Sequence, residues 1–219
     1  MKFKAIIFDF DGLMFDSEQI WKDVYEQANE VFKTGFTEED RIKYMVGCNE
    51  QLIRENFKKI NPNIDVDAYR DYTKQIVWET LFSEGAENKP GLFEILDFIK
   101  KNKIPTAIVS GSERKVINAV LGKANIDEKL FSSFVTGDMK INPKPAPDVF
   151  LKACEDLNVK PCEAVVLEDS HNGIRSGHKA GCFTIMIPDT IPPNEEMKNI
   201  ANLILNDLNE VVEFLKDKV

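Results

Sequence analysis

Two aspartates separated by a single residue, Asp9 and Asp11, stand at the end of an apolar run in the stretch AIIFDFDGLMFDSE. A short continuous apolar run is the pattern of a strand covered on both faces in a parallel sheet. Carboxylates at its C-terminal end lie where open α/β sheets form their ligand crevices. Side chains alternate along an extended chain, so Asp9 and Asp11 share a face, and Gly12 lets the chain turn away. Like charges this close repel unless a cation sits with them. Taken alone, the D-x-D-G pattern also reads as a loop in which aspartates cap turns.

Three further segments place polar groups behind apolar runs. Ser110-Gly111-Ser112 follows IPTAIV, Lys144 sits in NPKPAPD, and Glu168-Asp169-Ser170 follows AVVL. Each has a plain structural reading: a helix cap for Ser110, a surface charge for Lys144, a capping pair for Glu168 and Asp169. Carboxylates, hydroxyl and ammonium at successive strand ends together fit phosphoryl transfer through a carboxylate nucleophile. In that chemistry Asp9 attacks phosphorus in line. Asp9 and Asp169 hold a divalent cation, and a hard oxygen site only partly supplied by protein suits Mg²⁺. Lys144 offsets the remaining charge, while Ser110 and neighbouring backbone N–H groups, Gly111 among them, hold a phosphate oxygen. Asp11 protonates the departing alkoxide and then deprotonates the hydrolytic water.

The chain has 219 residues, 43% hydrophobic and 30% charged, enough for one large domain or a domain carrying a smaller insertion. A net charge of −9 argues against nucleic acid or an anionic membrane as the main partner, so an anionic substrate needs a local cationic site. Cys48, Cys154, Cys162 and Cys182 lack C-x-x-C spacing, which favours reduced thiols in a cytoplasmic protein. Met1 to Lys4 run straight into the first expected strand, so no leader is expected, and no apolar run approaches a membrane span.

After Asp16 the periodicity is helical to about residue 85. Ser17 is the expected N-cap of a helix whose Ile20, Trp21, Val24, Ala28, Val31 and Phe32 recur at helical spacing. Thr37 and Asp40 form a variant capping box, and further helices are expected over 50–60 and 67–82. Strands and helices then alternate to the end. The fold class that follows is α/β: a doubly wound parallel sheet, a Rossmann-like core built from 1–15 and 86–219, with a helical block of 16–85 inserted after its first strand.

Four motifs, FDFDG, IVSGS, KPAPD and LEDSHNGI, occur in this order. With them the chain resembles the haloacid dehalogenase superfamily, in the branch of β-phosphoglucomutase and small sugar-phosphate phosphatases, over nearly its whole length. The resemblance implies Asp9 as nucleophile and Asp11 as acid/base and metal ligand through its backbone carbonyl. It implies Asp169 as metal ligand, Glu168 in the metal or water shell, and Ser110 and Lys144 on the phosphate. It also implies Mg²⁺ as cofactor, a helical cap over residues 16–85 with hinges near Phe15-Asp16 and Glu84-Gly85, a monomer, and a small phosphate ester as substrate. Dehalogenases acting on carbon lack an aspartate two positions after the nucleophile, so Asp11 favours phosphate esters.

A phosphosugar mutase is the alternative. β-Phosphoglucomutases place an Arg shortly after the glycine matched by Gly47 and a His in the first cap helix; this chain has Glu50 and Trp21 there. An acidic Glu50 facing the far end of the substrate disfavours a second phosphate, so the phosphatase is preferred and monophosphates are expected over bisphosphates. Phe15 and Trp21 are candidate pocket walls, with core packing as the plain alternative. His171 is a candidate substrate contact against a solvated helix start, and His178 is not catalytic. Signalling receiver domains also gather carboxylates, hydroxyl and Lys at sheet ends and act as switches without turnover. They are shorter, lack a cap and pair adjacent acids on the first strand.

Overall fold

The computed structural model describes residues 2–48 and 50–219; Met1 and Asn49 lie outside the described residues. Strand β1 (Ala5–Phe8) leads to a two-residue strand, β2 (Phe15–Asp16). Four helices follow: α1 (Glu18–Phe32), α2 (Glu38–Tyr44), α3 (Glu50–Ile60) and α4 (Val66–Ser83). The chain returns through β3 (Glu87–Asn88), then alternates α5 (Leu92–Asn102), β4 (Thr106–Val109), α6 (Arg114–Lys123) and β5 (Ser133–Val135). It continues with α7 (Asp148–Asp156), β6 (Ala164–Glu168), α8 (His171–Ala180) and β7 (Phe183–Met186). It ends with α9 (Glu195–Ile200), β8 (Leu203–Ile204) and α10 (Leu208–Leu215).

Among the described residues, six strands form one sheet in the order β5-β4-β1-β6-β7-β8, every neighbouring pair parallel. β1 is central, with Ile7 opposite Ala107 on one side and Val166 on the other. All residues of β1, β4 and β6 are buried, which is why their sequences run apolar without alternation. Ile6 and Phe8 point into a cluster with Ile95 and Ile99 of α5, Ile117 of α6 and Val211 of α10. Ala5 and Ile7 point the opposite way, toward Phe150 and Ala153 of α7. Each Ile or Phe buried in this way is worth about 1.5–3 kcal/mol, so the strand is fixed from both faces. This is the doubly wound arrangement expected from the alternating pattern. Gly181 closes α8 in a left-handed conformation, also as expected.

The four helices between β2 and β3 have an apolar centre of their own, with Tyr25, Ala28, Phe36, Met45, Ile53, Phe57, Val66 and Tyr69. The Phe57 ring lies 4.9 Å from both Phe36 and Tyr69. The capping box at α2 forms in both directions: the Asp40 N–H donates to Thr37 Oγ1 at 3.2 Å and the Thr37 N–H to Asp40 Oδ2 at 2.9 Å. Asp65 caps α4 by accepting from the Ala68 N–H at 3.0 Å, so this helix starts one residue before the expected position. Ser17 occupies the N-cap position of α1, its carbonyl accepting from the Trp21 N–H at 3.1 Å, but its side chain makes no capping bond; its hydroxyl is used elsewhere.

The helical block leaves and rejoins the sheet through one short antiparallel ladder, Phe15 opposite Asn88 and Asp16 opposite Glu87. Strands this short carry no readable alternation, and both fall at junctions that the sequence marks only as hinges. α9 was likewise not expected from sequence. The block also leans on α6, where Lys123 Nζ donates to the Ser83 carbonyl at 2.7 Å and Lys115 Nζ lies 4.2 Å from the Trp78 ring centroid. Among the described residues, no helix is long and apolar enough to cross a membrane.

Phe57 is fully buried in the helical block's own centre, so Phe57→Ala leaves a cavity there. The expected loss is about 3–5 kcal/mol in urea unfolding. A loss below about 1 kcal/mol would show that the aromatic cluster is loosely packed.

Candidate active site

The sheet's hydrogen-bond ladder carries the key residues to one edge. The Asp9 N–H donates to the Leu167 carbonyl at 2.9 Å, and the Ser110 N–H to Val135 at 3.0 Å. Asp9 and Ser110 are thereby the first residues beyond β1 and β4 that backbone bonds still hold. Glu168 is the last residue of β6, and its side chain is fully buried. Lys144, from the loop before α7, bridges these strand ends. Its Nζ lies 2.5 Å from Asp9 Oδ1, 2.6 Å from Glu168 Oε1 and 3.0 Å from the Val109 carbonyl.

Ser170 secures the other side of Glu168. Its N–H and hydroxyl both donate to Glu168 Oε2, at 2.8 and 2.9 Å, and its Oγ accepts from the Gly173 N–H at 3.0 Å. The helix cap at this strand end is therefore Ser170, and Glu168 is turned toward Lys144. Two glycines make room for the acids. A Cβ on Gly173 would fall 1.7 Å from Glu168 Oε1, and one on Gly12, whose φ is +85°, 2.4 Å from Asp169 Oδ2. No side chain fits at either position without displacing a carboxylate.

Carboxylate oxygens of Asp9, Glu168 and Asp169 lie within 4.8 Å of one another. Burial pushes the Asp9 carboxyl well above its usual range; Lys144 opposes this, and the charges of Glu168 and Asp11 push it further up. Asp169 is raised for the same leading reason, burial, reinforced by Glu168 and Asp9. Burial works against the Lys144 ammonium, but Asp9 and Glu168 outweigh it and hold its pKa above the ordinary lysine range. Three acids thus share one ammonium. A cluster of hard oxygen donors with too little positive charge suits a divalent cation such as Mg²⁺.

Asp11 is suspended by three hydroxyls. Its Oδ1 accepts from Ser17 at 3.0 Å, and its Oδ2 from Ser110 at 2.9 Å and Ser112 at 2.8 Å. Ser110 Oγ also accepts from the Ser112 N–H at 2.9 Å, while Gly111 between them is exposed. Sequence reading finds the position of Ser17 at the start of α1 but not the use of its hydroxyl. A tight turn, in which the Gly12 N–H donates to the Phe15 carbonyl at 2.9 Å, brings the chain back so that Ser17 meets Asp11. Only the return of the chain through β2 puts that hydroxyl in place, and its spacing from Asp11 does not announce it.

Several candidates serve packing. Phe15 is fully buried against Phe10, with ring centroids 4.9 Å apart, and walls no pocket. Trp21 stacks on Tyr25 at 5.6 Å beneath the Arg70 guanidinium. His171 Nε2 lies 3.0 Å from the Pro192 carbonyl, and His178 is on the exposed side of α8. Glu50 does not present a bare charge: Arg54 lies 3.0 Å from it, Arg70 3.1 Å and Lys74 3.0 Å. Partial burial alone would raise its pKa, but bonds and charges from Arg70 and Lys74 prevail and bring it to about 2. The expectation that Glu50 repels a second phosphate therefore fails, because cations already surround it. Beside the acidic cluster, a polar cleft of about 240 Å³ opens between the helical block and the sheet, bordered by Glu18, Gln19, Lys22, Arg41, Asp189 and Thr190. Arg41 is fixed there by Glu18 at 3.0 Å and Glu38 at 2.8 Å.

This fold has counterparts among known proteins. Residues 6–187 match the Haloacid dehalogenase-like hydrolase family, and the chain belongs to it. It is 31% identical over 181 residues to the Phosphorylated carbohydrates phosphatase of Thermotoga maritima, covering 81% of this chain and 82% of that protein. It is 28% identical over 215 residues to Hexitol phosphatase A of Escherichia coli, covering 96% and 94%. The crystal structure of CbbY from Rhodobacter sphaeroides in complex with phosphate has the same fold, with a TM-score of 0.81 at 22% identity over 95% of this chain and 96% of that one. The chain is accordingly a phosphoric monoester hydrolase.

The Glu50 network gives a pH test. A carboxyl whose folded pKa is depressed stabilises the fold above its unfolded pKa, about 4.3, and the contribution is lost as pH falls through the folded value. The stability difference between wild type and Glu50→Gln is thus expected to be constant above about pH 5 and to shrink toward pH 2. Urea unfolding across this range measures it, and a difference that does not shrink contradicts the network.

Proposed function

We propose that the protein hydrolyses the monophosphate ester of a small sugar or sugar alcohol through a phosphorylated Asp9. The observation that carries this reading is the placement of Asp11, two residues from Asp9 and held by hydroxyls from Ser17, Ser110 and Ser112. The names of the two phosphatase relatives, one for phosphorylated carbohydrates and one for hexitols, support the substrate class.

In the proposed reaction an Asp9 oxygen forms a bond to phosphorus as the bond to the ester oxygen breaks. Asp11 gives its proton to that departing oxygen. Its three hydroxyl partners can each turn to accept as well as donate, so Asp11 keeps its place in either protonation state. Water then attacks phosphorus, Asp11 takes the proton, and the Asp9 carboxylate is released with inorganic phosphate. Lys144 keeps Asp9 aligned and compensates charge that accumulates between Asp9 and the phosphate; Ser110 and the Gly111 N–H would hold a phosphate oxygen. Asp9 and Asp169, with the backbone carbonyl of Asp11 and Glu168 directly or through water, would hold Mg²⁺, which neutralises phosphate oxygens when bound.

Residues 16–85 act in this reading as a cap that closes over the leaving group, turning at the short ladder of β2 and β3. The cleft beside Arg41 and Asp189 suits a hydroxyl-rich leaving group, since its border is almost wholly polar. The cations around Glu50 favour a second reading, a phosphosugar mutase, because they remove the repulsion that a distal phosphate would otherwise meet.

A phosphate-release panel over hexose, hexitol, nucleotide and glycerol phosphates tests the reading together with Asp11→Asn. Release from sugar or hexitol monophosphates is expected, and the variant should lose about 10²- to 10⁴-fold on them but much less on p-nitrophenyl phosphate, whose leaving group needs little protonation. Equal losses on both kinds of ester remove Asp11 from proton transfer. Conversion of β-glucose 1-phosphate to glucose 6-phosphate faster than phosphate appears selects the mutase.

Chelation is expected to abolish turnover and added Mg²⁺ to restore it. Mg²⁺ should also raise the unfolding temperature of the wild type but not of Asp169→Asn. Full turnover after exhaustive chelation contradicts the metal assignment.

A further inference from the structure

A polar contact joins the helical block to the sheet domain beside the acidic cluster. Asn172, the second residue of α8, donates from Nδ2 to the Gly47 carbonyl at 2.8 Å. Gly47 lies between α2 and α3 with a φ of +67°, and a Cβ there would touch Ser170 at 3.6 Å. The Asn172 amide is oriented from its other side. Arg175 donates to Asn172 Oδ1 at 3.0 Å, and Glu196 grips Arg175 through two bonds of 2.7 and 2.5 Å.

This order of partners has a chemical consequence. With Oδ1 facing a guanidinium, the NH₂ group of Asn172 must face the loop, so the amide cannot turn over without placing its donors against a cation. A donor is therefore set in place to meet a backbone carbonyl. Since the acceptor is main chain, the contact senses where the loop sits and is indifferent to its side chains. α8 is also the helix whose cap, Ser170, fixes Glu168. Loop and carboxylates are thus referred to one helical turn.

We propose that Asn172, oriented by Arg175 and Glu196, is a positioning residue that holds the 45–48 loop down over the acidic cluster and so retains the substrate's leaving group. The inference rests on the phosphatase reading for its kinetic consequence but not for its structural one. A substrate with a leaving group long enough to reach the loop should depend on Asn172; acetyl phosphate, whose leaving group is small, should not.

Asn172→Ala is expected to raise KM for the best sugar or hexitol phosphate about three- to tenfold, the factor that one neutral hydrogen bond supplies, with kcat within about twofold. The constants for acetyl phosphate should be unchanged. Asn172→Asp keeps the size and the Arg175 bond but sets a carboxylate against the Gly47 carbonyl. It should raise the sugar phosphate KM at least as much while leaving the unfolding temperature level or higher, because an acid suits the first turn of a helix. Arg175→Ala should give a smaller loss of the same kind, and the double variant Asn172→Ala with Arg175→Ala should be no worse than Asn172→Ala alone. Hydrogen exchange supplies the readout that is independent of turnover. The N–H groups of Val46 and Cys48, bonded to Arg41 and Met45 carbonyls, should exchange faster in Asn172→Ala than in wild type. Unchanged exchange at both amides, or a KM increase shared equally by acetyl phosphate, overturns the proposal. Failure of the wild type to release phosphate from any ester would instead overturn the phosphatase reading, with the exchange result still deciding the role of Asn172.

Discussion

The site is organised by a charge that cannot be moved without consequence: one buried ammonium, Lys144, set between Asp9 and Glu168 and tied to the Val109 carbonyl. Removing one partner of a buried charge pair leaves the other uncompensated, which typically costs about 3–5 kcal/mol. Everything that brings Lys144, Asp9 and Glu168 to one place is therefore under the same constraint. Parallel strands deliver Asp9 and Glu168 to a common edge, the loop before α7 reaches over to supply the ammonium, and Gly173 gives up its side chain so that Glu168 has space.

A second level of organisation lies where the helical block meets the sheet. Asp11 accepts from Ser17 on the block's side and from Ser110 and Ser112 on the sheet's side. Its orientation consequently depends on both parts of the chain, which is how the proposed acid/base would feel the block's position. Inside the block, Glu50 does comparable work for α3 and α4, drawing Arg54, Arg70 and Lys74 together, while Arg70 covers Trp21 and bonds to the Tyr25 hydroxyl.

The parts of this arrangement that the sequence discloses are those set by strand geometry. An apolar run ending in Asp9, and another ending in Glu168, have the pattern of buried strands with acids at their mouths, and the sheet order places those mouths together. The capping box of Thr37 and Asp40 is equally local and equally readable. What the sequence conceals depends on chain return and on partners distant along the chain. Ser17 stands at the start of α1 where its spacing suggests a side-chain cap, but the turn from Gly12 to Phe15 carries its hydroxyl to Asp11 instead. Glu50 looks like an exposed negative charge, since nothing in its own segment shows that Arg70 and Lys74 will arrive beside it from α4. Phe15 directly precedes Asp16 and Ser17 near the paired aspartates and suggests a pocket wall, yet the core takes it.

The central position of β1 bears on the history of the molecule as it is made. β1 is made before every other strand of its sheet, and its two neighbours lie about a hundred and a hundred and sixty residues later, at Thr106–Val109 and Ala164–Glu168. Its four apolar residues have no sheet to enter until both neighbours have been synthesised, and unpaired apolar strands are what associate wrongly in the meantime. The helices that come next hold an apolar centre of their own, built from residues 25 to 69. An independent centre can condense early and stand between the waiting strand and other nascent chains. The insertion that separates β1 from its partners thus also gives the growing chain something to fold while β1 waits.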